Sequence, residues 1–291
     1  MASPRRLLVV DLDGTLLTSD GTVSEASRAA LKQLDTAGID LLVATGRCRN
    51  ETLDVLESIE YDGPIIVAGG ALMTESRTGH TLDRDTLEPP IVERIVSHLH
   101  DEGHASLVLK DHHSVGYDYL VVGGSGMHPV STWWMDVHDL AYREVESIAD
   151  DPDPDHTLRV GGVGEAPRMT TPAERIQSDV GEDTRMLNWP AVTASHMTGM
   201  PIHIVEVFAA SVDKWNMTLR HCERHDIDPA HTVAIGDGLN DIGMLRGAAT
   251  GIAMANAEQQ VAEAADVMTE SNNEEGFSRA VFRLIHGDIA S

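Results

Sequence analysis

Lysine is almost absent from this chain of 291 residues: Lys32, Lys110 and Lys214 are the only three, and 21 basic residues face 47 acidic ones, a formal net charge of −26. Nucleic acid and anionic membranes call for basic surface, so neither is expected as a partner. An anionic substrate would have to be drawn by a local cluster of cations or by a bound metal, against the field of the whole molecule. The acidity fits a salty cytoplasm, which screens self-repulsion, or equally a compositional habit of the source genome. Cysteine is scarce too: Cys48 and Cys222 stand in no metal-type spacing, which excludes a disulfide framework and a thiolate zinc site. No long apolar run follows Arg5 and Arg6, because Asp11 and Asp13 interrupt it too soon for a signal-peptide core or a membrane span; a soluble, cytoplasmic protein is expected. A P-loop is missing. Gly123-Gly124-Ser125-Gly126 is followed by Met127, so the G-x-S-x-G nucleophile elbow is not satisfied either.

What is present is an alternation of strand-like apolar runs with segments of helical period, the pattern of a parallel sheet covered by helices. Leu7 to Val10 reads as the first strand. Thr22 and Glu25 have capping-box spacing, Ala26 to Ala37 carry a helical apolar stripe, and Gly38 stops it. Ile39 to Ala44 and Pro64 to Ala68 read as strands two and three, around a helix over Glu51 to Ile59. The alternation returns with a helix from Asp213, strands at Thr232, Thr250 and Asp266, and a last helix from Glu274. Between these halves the texture changes. A helix after Pro89-Pro90, strands near Ala105 and Tyr117, and a solvated, turn-rich acidic loop at 150–155 read as a second domain inserted into the first. Residues 1–82 and 191–291 are expected to form a Rossmann-like, doubly wound α/β core, and residues 83–190 an α/β insert.

In an open α/β sheet, ligands bind beyond the carboxyl ends of the strands. Asp11 and Asp13 follow strand one, Thr45-Gly46-Arg47 follow strand two, and Gly236-Asp237-Gly238-Leu239-Asn240-Asp241 follow the strand from Thr232. Lys214 opens the helix between the halves. Any one of these pieces could be a turn or a helix cap. Together they converge carboxylates, a hydroxyl and a cation, which is what a hard, oxygen-liganded metal and a phosphate need.

"DLDGTLL", "ATGR", Lys214 and "GDGLND" resemble the four motifs of the haloacid dehalogenase superfamily, and the insert resembles the α/β cap, type C2B, of its subclass IIB, the Cof-type sugar-phosphate phosphatases. "GIAMANA" at 251–257 and "TESNNEEGF" at 269–277 are similar to that group's closing segments. The resemblance implies a phosphomonoester hydrolase acting on small phosphorylated metabolites, sugar phosphates first among them. It implies Asp11 as nucleophile, forming an aspartyl-phosphate, and Asp13 as acid and base. Mg²⁺ is implied on the Asp11 carboxylate, the Asp13 carbonyl, Asp237 and Asp241. Thr45 and Lys214 are implied to hold phosphoryl oxygens, with backbone N–H groups from Leu12 and Gly46; Arg47 is implied to reach the substrate, and Asn240 to orient Asp237 or Lys214. Two departures stand out: Gly69 replaces the family's usual Asn, and Trp215 its usual Gly, read as packing under the cap. His112, His113, His128, His138, Trp133 and Trp134 in the insert offer hydrogen bonds and stacking to a sugar. Two alternatives stay open: a mutase of the phosphomannomutase type, and a non-catalytic binding or regulatory protein on the same fold.

Overall fold

The computed structural model describes residues 5–190 and 201–287. By its contacts the chain divides into two compact units, 1–78 with 213–291, and 79–212. The expected return to the core at residue 191 lies outside the described residues. Strand Ile202–Ala209, just beyond it, pairs along its length within the inserted unit, so the core resumes at Asp213.

In the first unit, strands β1 (Arg6–Val10), β2 (Ile39–Ala44), β3 (Pro64–Val67) and β4 (Leu72–Glu75) run outward in one direction. On the other side of β1, the late strands Thr232–Gly236, Thr250–Ala253 and Val267–Met268 run outward in the opposite direction. All neighbours are parallel except β3 and β4. Leu7 to Val10 and Thr232 to Gly236 are buried without alternation, as strands covered on both faces must be. The winding therefore reverses between β1 and the strand Thr232–Gly236, and that reversal opens a crevice at their carboxyl ends.

Helix Glu25–Thr36 is capped two residues after the expected box. Ser24, not Thr22, is its N-cap, accepting the Ser27 N–H at 3.1 Å, while Thr22 closes a turn with Thr18. Gly38 does end the helix region, at φ +68°.

The inserted unit is a six-stranded sheet. Its strands, in chain order, are β6 (Ser106–Lys110), β7 (Tyr119–Val122), β8 (Tyr142–Val145), β9 (Thr157–Glu165), β10 (Thr184–Pro190) and β11 (Ile202–Ala209), in the spatial order β10-β11-β9-β6-β7-β8; β5 (Thr81–Arg84) precedes them in sequence. Alternate residues Val108, Leu120, Val122, Val160, Val205 and Val207 pack against Val92, Ile95, Leu99, Met169 and Ile176 of helices Pro89–Asp101 and Ala166–Val180. The acidic loop at 150–155 is not simply solvated. Lys110 Nζ is buried and donates to Asp151 Oδ2 at 2.5 Å, the Asp153 carbonyl at 3.0 Å and Thr157 Oγ1 at 2.8 Å. A buried ammonium needs such a set of oxygens, and the loop supplies them.

Helix Lys214–His225 buries His221, whose ring lies 4.4 Å from that of His225. Burial, then His225, push the His221 pKa down to about 4, with Asp40 opposing and Arg5 and Arg224 adding. An unfolded histidine titrates near 6.5, so below that pH the unfolded chain gains a proton the folded chain refuses. The stability provided by neutral His221 is present above pH 6.5 and lost as pH falls toward 4. His221→Gln should flatten the acid limb of a plot of urea midpoint against pH; a curve parallel to wild type would remove His221 as its source.

Candidate active site

Strand geometry brings the acidic tips together. Asp11 N donates to the Ile235 carbonyl at 3.1 Å, so the ends of β1 and of strand Thr232–Gly236 lie side by side. One oxygen each from Asp11, Asp237 and Asp241 lies within 4.8 Å of the others. Lys214 Nζ sits in this group, donating to Asp11 Oδ1 and to Asp241 Oδ1, each at 2.6 Å. Lys214 and Asp241 are wholly buried and Asp11 is 5% exposed.

Burial raises the Asp11 pKa well above the ordinary carboxylate range; Lys214 lowers it again, while Asp241, Asp237 and Asp13 raise it further. Burial and then Asp241 push Asp237 up to about 6. Burial opposes the Lys214 ammonium, yet Asp11 and Asp241 outweigh it and hold its pKa above the ordinary lysine value. Three crowded carboxylates sharing one ammonium are short of positive charge, and their oxygens are the donors a hard divalent cation takes. The residues present thus fit a metal of that kind.

Asp241 is fixed by backbone N–H groups and Asp237 by two side chains. Asp241 Oδ2 accepts the N–H groups of Asp237 and Gly238, at 3.0 and 2.8 Å. Asp237 Oδ1 accepts the Thr15 hydroxyl at 2.8 Å, and its Oδ2 the Asn256 amide at 3.0 Å. Gly14 makes the turn that allows this: its φ is +74°, and a Cβ there would meet Asp237 Oδ2 at 2.1 Å. Gly70, at φ +108°, lets the loop after β3 back onto the Asp213–Lys214 peptide, where a Cβ would fall 2.4 Å from the Asp213 carbonyl carbon.

The remaining expected residues sit around this group in different ways. Asp13 forms a two-pronged pair with Arg47, Nε to Oδ2 at 2.8 Å and Nη2 to Oδ1 at 2.5 Å. Thr45 is buried at the end of β2, its Oγ1 accepting the Arg47 N–H at 3.2 Å, with Gly46 between them. Leu12 is buried between the two aspartates. Asn240 touches neither Asp237 nor Lys214 with a hydrogen bond; its side chain lies beside Gly46 and Gly238. Orienting Asp237 falls instead to Thr15 and Asn256, which sequence reasoning missed, although Asn256 stands inside the "GIAMANA" segment it singled out. Trp215 lies over Gly247, within the first unit, and its N–H is capped by Asp213.

Fold and site define a doubly wound α/β protein with an acidic centre at its topological switch point. The profile of the haloacid dehalogenase-like hydrolases matches residues 8–281. The chain belongs to that family. It is 26% identical over 277 residues, covering 95% of this chain and 94% of the relative, to a 5-amino-6-(5-phospho-D-ribitylamino)uracil phosphatase of Bacillus subtilis. A phosphoglycolate phosphatase of Methanopyrus kandleri is 26% identical over 280 residues, covering 96% and 97%. Among solved structures, a subclass IIB sugar phosphatase of the same superfamily aligns with a TM-score of 0.76 at 20% identity, over 98% of this chain and 100% of that one. Within the family the chain is a Cof-type phosphatase. No helix among the described residues is long and apolar enough to cross a membrane.

Proposed function

We propose that the protein is a Mg²⁺-dependent phosphomonoester hydrolase of small phosphorylated metabolites, sugar phosphates first among them, working through an aspartyl-phosphate on Asp11. The observation that carries this reading is the cluster of buried Asp11 and Asp241, bridged by Lys214, with half-buried Asp237 beside them at the strand ends. Relatives named for phosphoribityl, phosphoglycolate and sugar substrates support the substrate class.

An Asp11 carboxylate oxygen attacks phosphorus, and the bond from phosphorus to the ester oxygen breaks. Asp13, released from Arg47, gives its proton to the departing oxygen. It then takes a proton from the water that attacks the aspartyl-phosphate, so inorganic phosphate leaves and Asp11 is regenerated. Lys214 and the Thr45 hydroxyl hold the phosphoryl oxygens as charge grows on them, joined by N–H groups of the loop after Asp11. Asp11, Asp237, Asp241 and the Asp13 carbonyl would hold Mg²⁺, which when bound offsets the charge of nucleophile and phosphoryl group. A mutase would return the phosphoryl group to a second sugar hydroxyl; nothing in the described residues favours that over water.

The test is a panel of sugar phosphates, phosphorylated acids and nucleotides, assayed with and without Mg²⁺. Phosphate release by wild type, absent in Asp11→Asn, is expected for at least one sugar phosphate. If wild type and Asp11→Asn are indistinguishable on every compound, the reading fails.

A further inference from the structure

The two closing segments have no part in the chemistry just described, yet they grip the loop that follows the nucleophile. Asn256 Nδ2 donates to the Gly14 carbonyl at 2.9 Å and to Asp237 Oδ2 at 3.0 Å. Its own Oδ1 accepts the Asn272 N–H at 3.0 Å, and Asn272 Nδ2 donates to the Leu17 carbonyl at 2.8 Å. Asn273 Oδ1 accepts the Ser19 N–H at 2.9 Å, and Glu275 Oε2 the Ser24 hydroxyl at 2.6 Å. Four side chains from 256–275 thus clamp 14–24, and one of them, Asn256, also reaches the acidic centre.

The geometry points to Asn256 as a positioning residue for the cation site. It is held in place by Asn272, ties the turn after Asp11 and Asp13 to the Asp237 carboxylate, and so sets the separation of groups supplied by two different strands. Both oxygens of Asp237 are committed from outside, Oδ1 by Thr15 and Oδ2 by Asn256, which leaves their remaining lone pairs in a fixed direction. An amide is the side chain this place calls for. It offers two hydrogens to two acceptors and one oxygen to a backbone N–H, whereas a carboxylate would face Asp237 with like charge. Asn256 is solvent-exposed, so its loss should leave the fold standing and let the aim of Asp237 be measured separately.

The inference rests on the cation site proposed above, and the experiment separates the two. Mg²⁺ is titrated calorimetrically into metal-free wild type, Asn256→Ala and Asn273→Ala, with thermal melting recorded on the same samples before metal is added. Asn273 holds the far end of the loop and touches no group of the site, so it reports on loop anchoring alone. The Mg²⁺ dissociation constant should rise roughly ten- to hundred-fold in Asn256→Ala, as for other groups that orient metal ligands, with little change in Asn273→Ala. Turnover by Asn256→Ala should recover toward wild type at saturating Mg²⁺. A rise below about five-fold in Asn256→Ala, or one that Asn273→Ala matches, overturns the assignment. Wild type that hydrolyses sugar phosphates without binding Mg²⁺ overturns the cation site and this role with it, whereas wild type that binds Mg²⁺ as tightly as Asn256→Ala does overturns only the role.

Discussion

Lys214→Met should unfold at distinctly lower urea than wild type and turn over substrate roughly 10²- to 10³-fold more slowly. Methionine keeps the length and apolar stem of lysine but leaves Asp11 and Asp241 buried without their shared cation. Removing one partner of a buried ionic group costs about 3 to 5 kcal/mol, because the stranded charge keeps its desolvation penalty. Two consequences separate this from simple loss of packing. Added Mg²⁺ should restore part of the lost stability, since a cation that binds only the folded chain shifts the equilibrium toward it. Turnover should stay low even where stability has recovered, if the ammonium also holds the phosphoryl oxygens as proposed. Equilibrium urea unfolding and steady-state rates at several Mg²⁺ concentrations check both; wild-type turnover would remove Lys214 from the chemistry.

Asp13→Ala should lower the rate by roughly 10² to 10⁴, the usual worth of a positioned acid and base. The loss should depend on the leaving group. A sugar hydroxyl leaves as a strongly basic oxygen and needs the proton, whereas p-nitrophenolate leaves without one, so formation of the aspartyl-phosphate from p-nitrophenyl phosphate should suffer far less. Breakdown still needs a base to take the proton from water, and a burst of p-nitrophenolate followed by a slow steady state is therefore expected. Asp13→Asn is the companion variant, because an amide oxygen still accepts from Arg47 while the acid is gone. Equal losses for sugar and aryl esters, with no burst, would mean that Asp13 acts only as an anchor for Arg47.

The strand ends were legible because the signals there are local. The apolar run Leu7 to Val10 stops at a charged pair, Ile39 to Ala44 stops at Thr45, and Thr232 to Gly236 stops at Asp237, so the parallel alternation and the rule for open sheets suffice to gather them. The inserted unit was less legible. Its helix Pro89–Asp101 announces itself with two prolines, but β8 to β11 and helices Pro129–Val137 and Ala166–Val180 did not stand out from their surroundings. A proline-rich acidic stretch looks solvated in sequence; the ammonium that holds Asp151 and Asp153 comes from Lys110, about forty residues away.

The sequence by itself determined the class of protein and the set of chemical groups: the strand and helix alternation of each half, the aspartates at the strand tips, and one lysine among three. Those follow from residue type and short spacing, which act within a few residues of where they are read. Only the tertiary structure decided how the groups are aimed. That Asp13 pairs with Arg47, that Lys214 bridges Asp11 and Asp241, and that Asn256 rather than Asn240 orients Asp237 depends on hydrogen bonds between segments up to 242 residues apart. Such bonds carry no periodicity and no local composition, and they exist only once packing has brought the strand ends and the closing segments together.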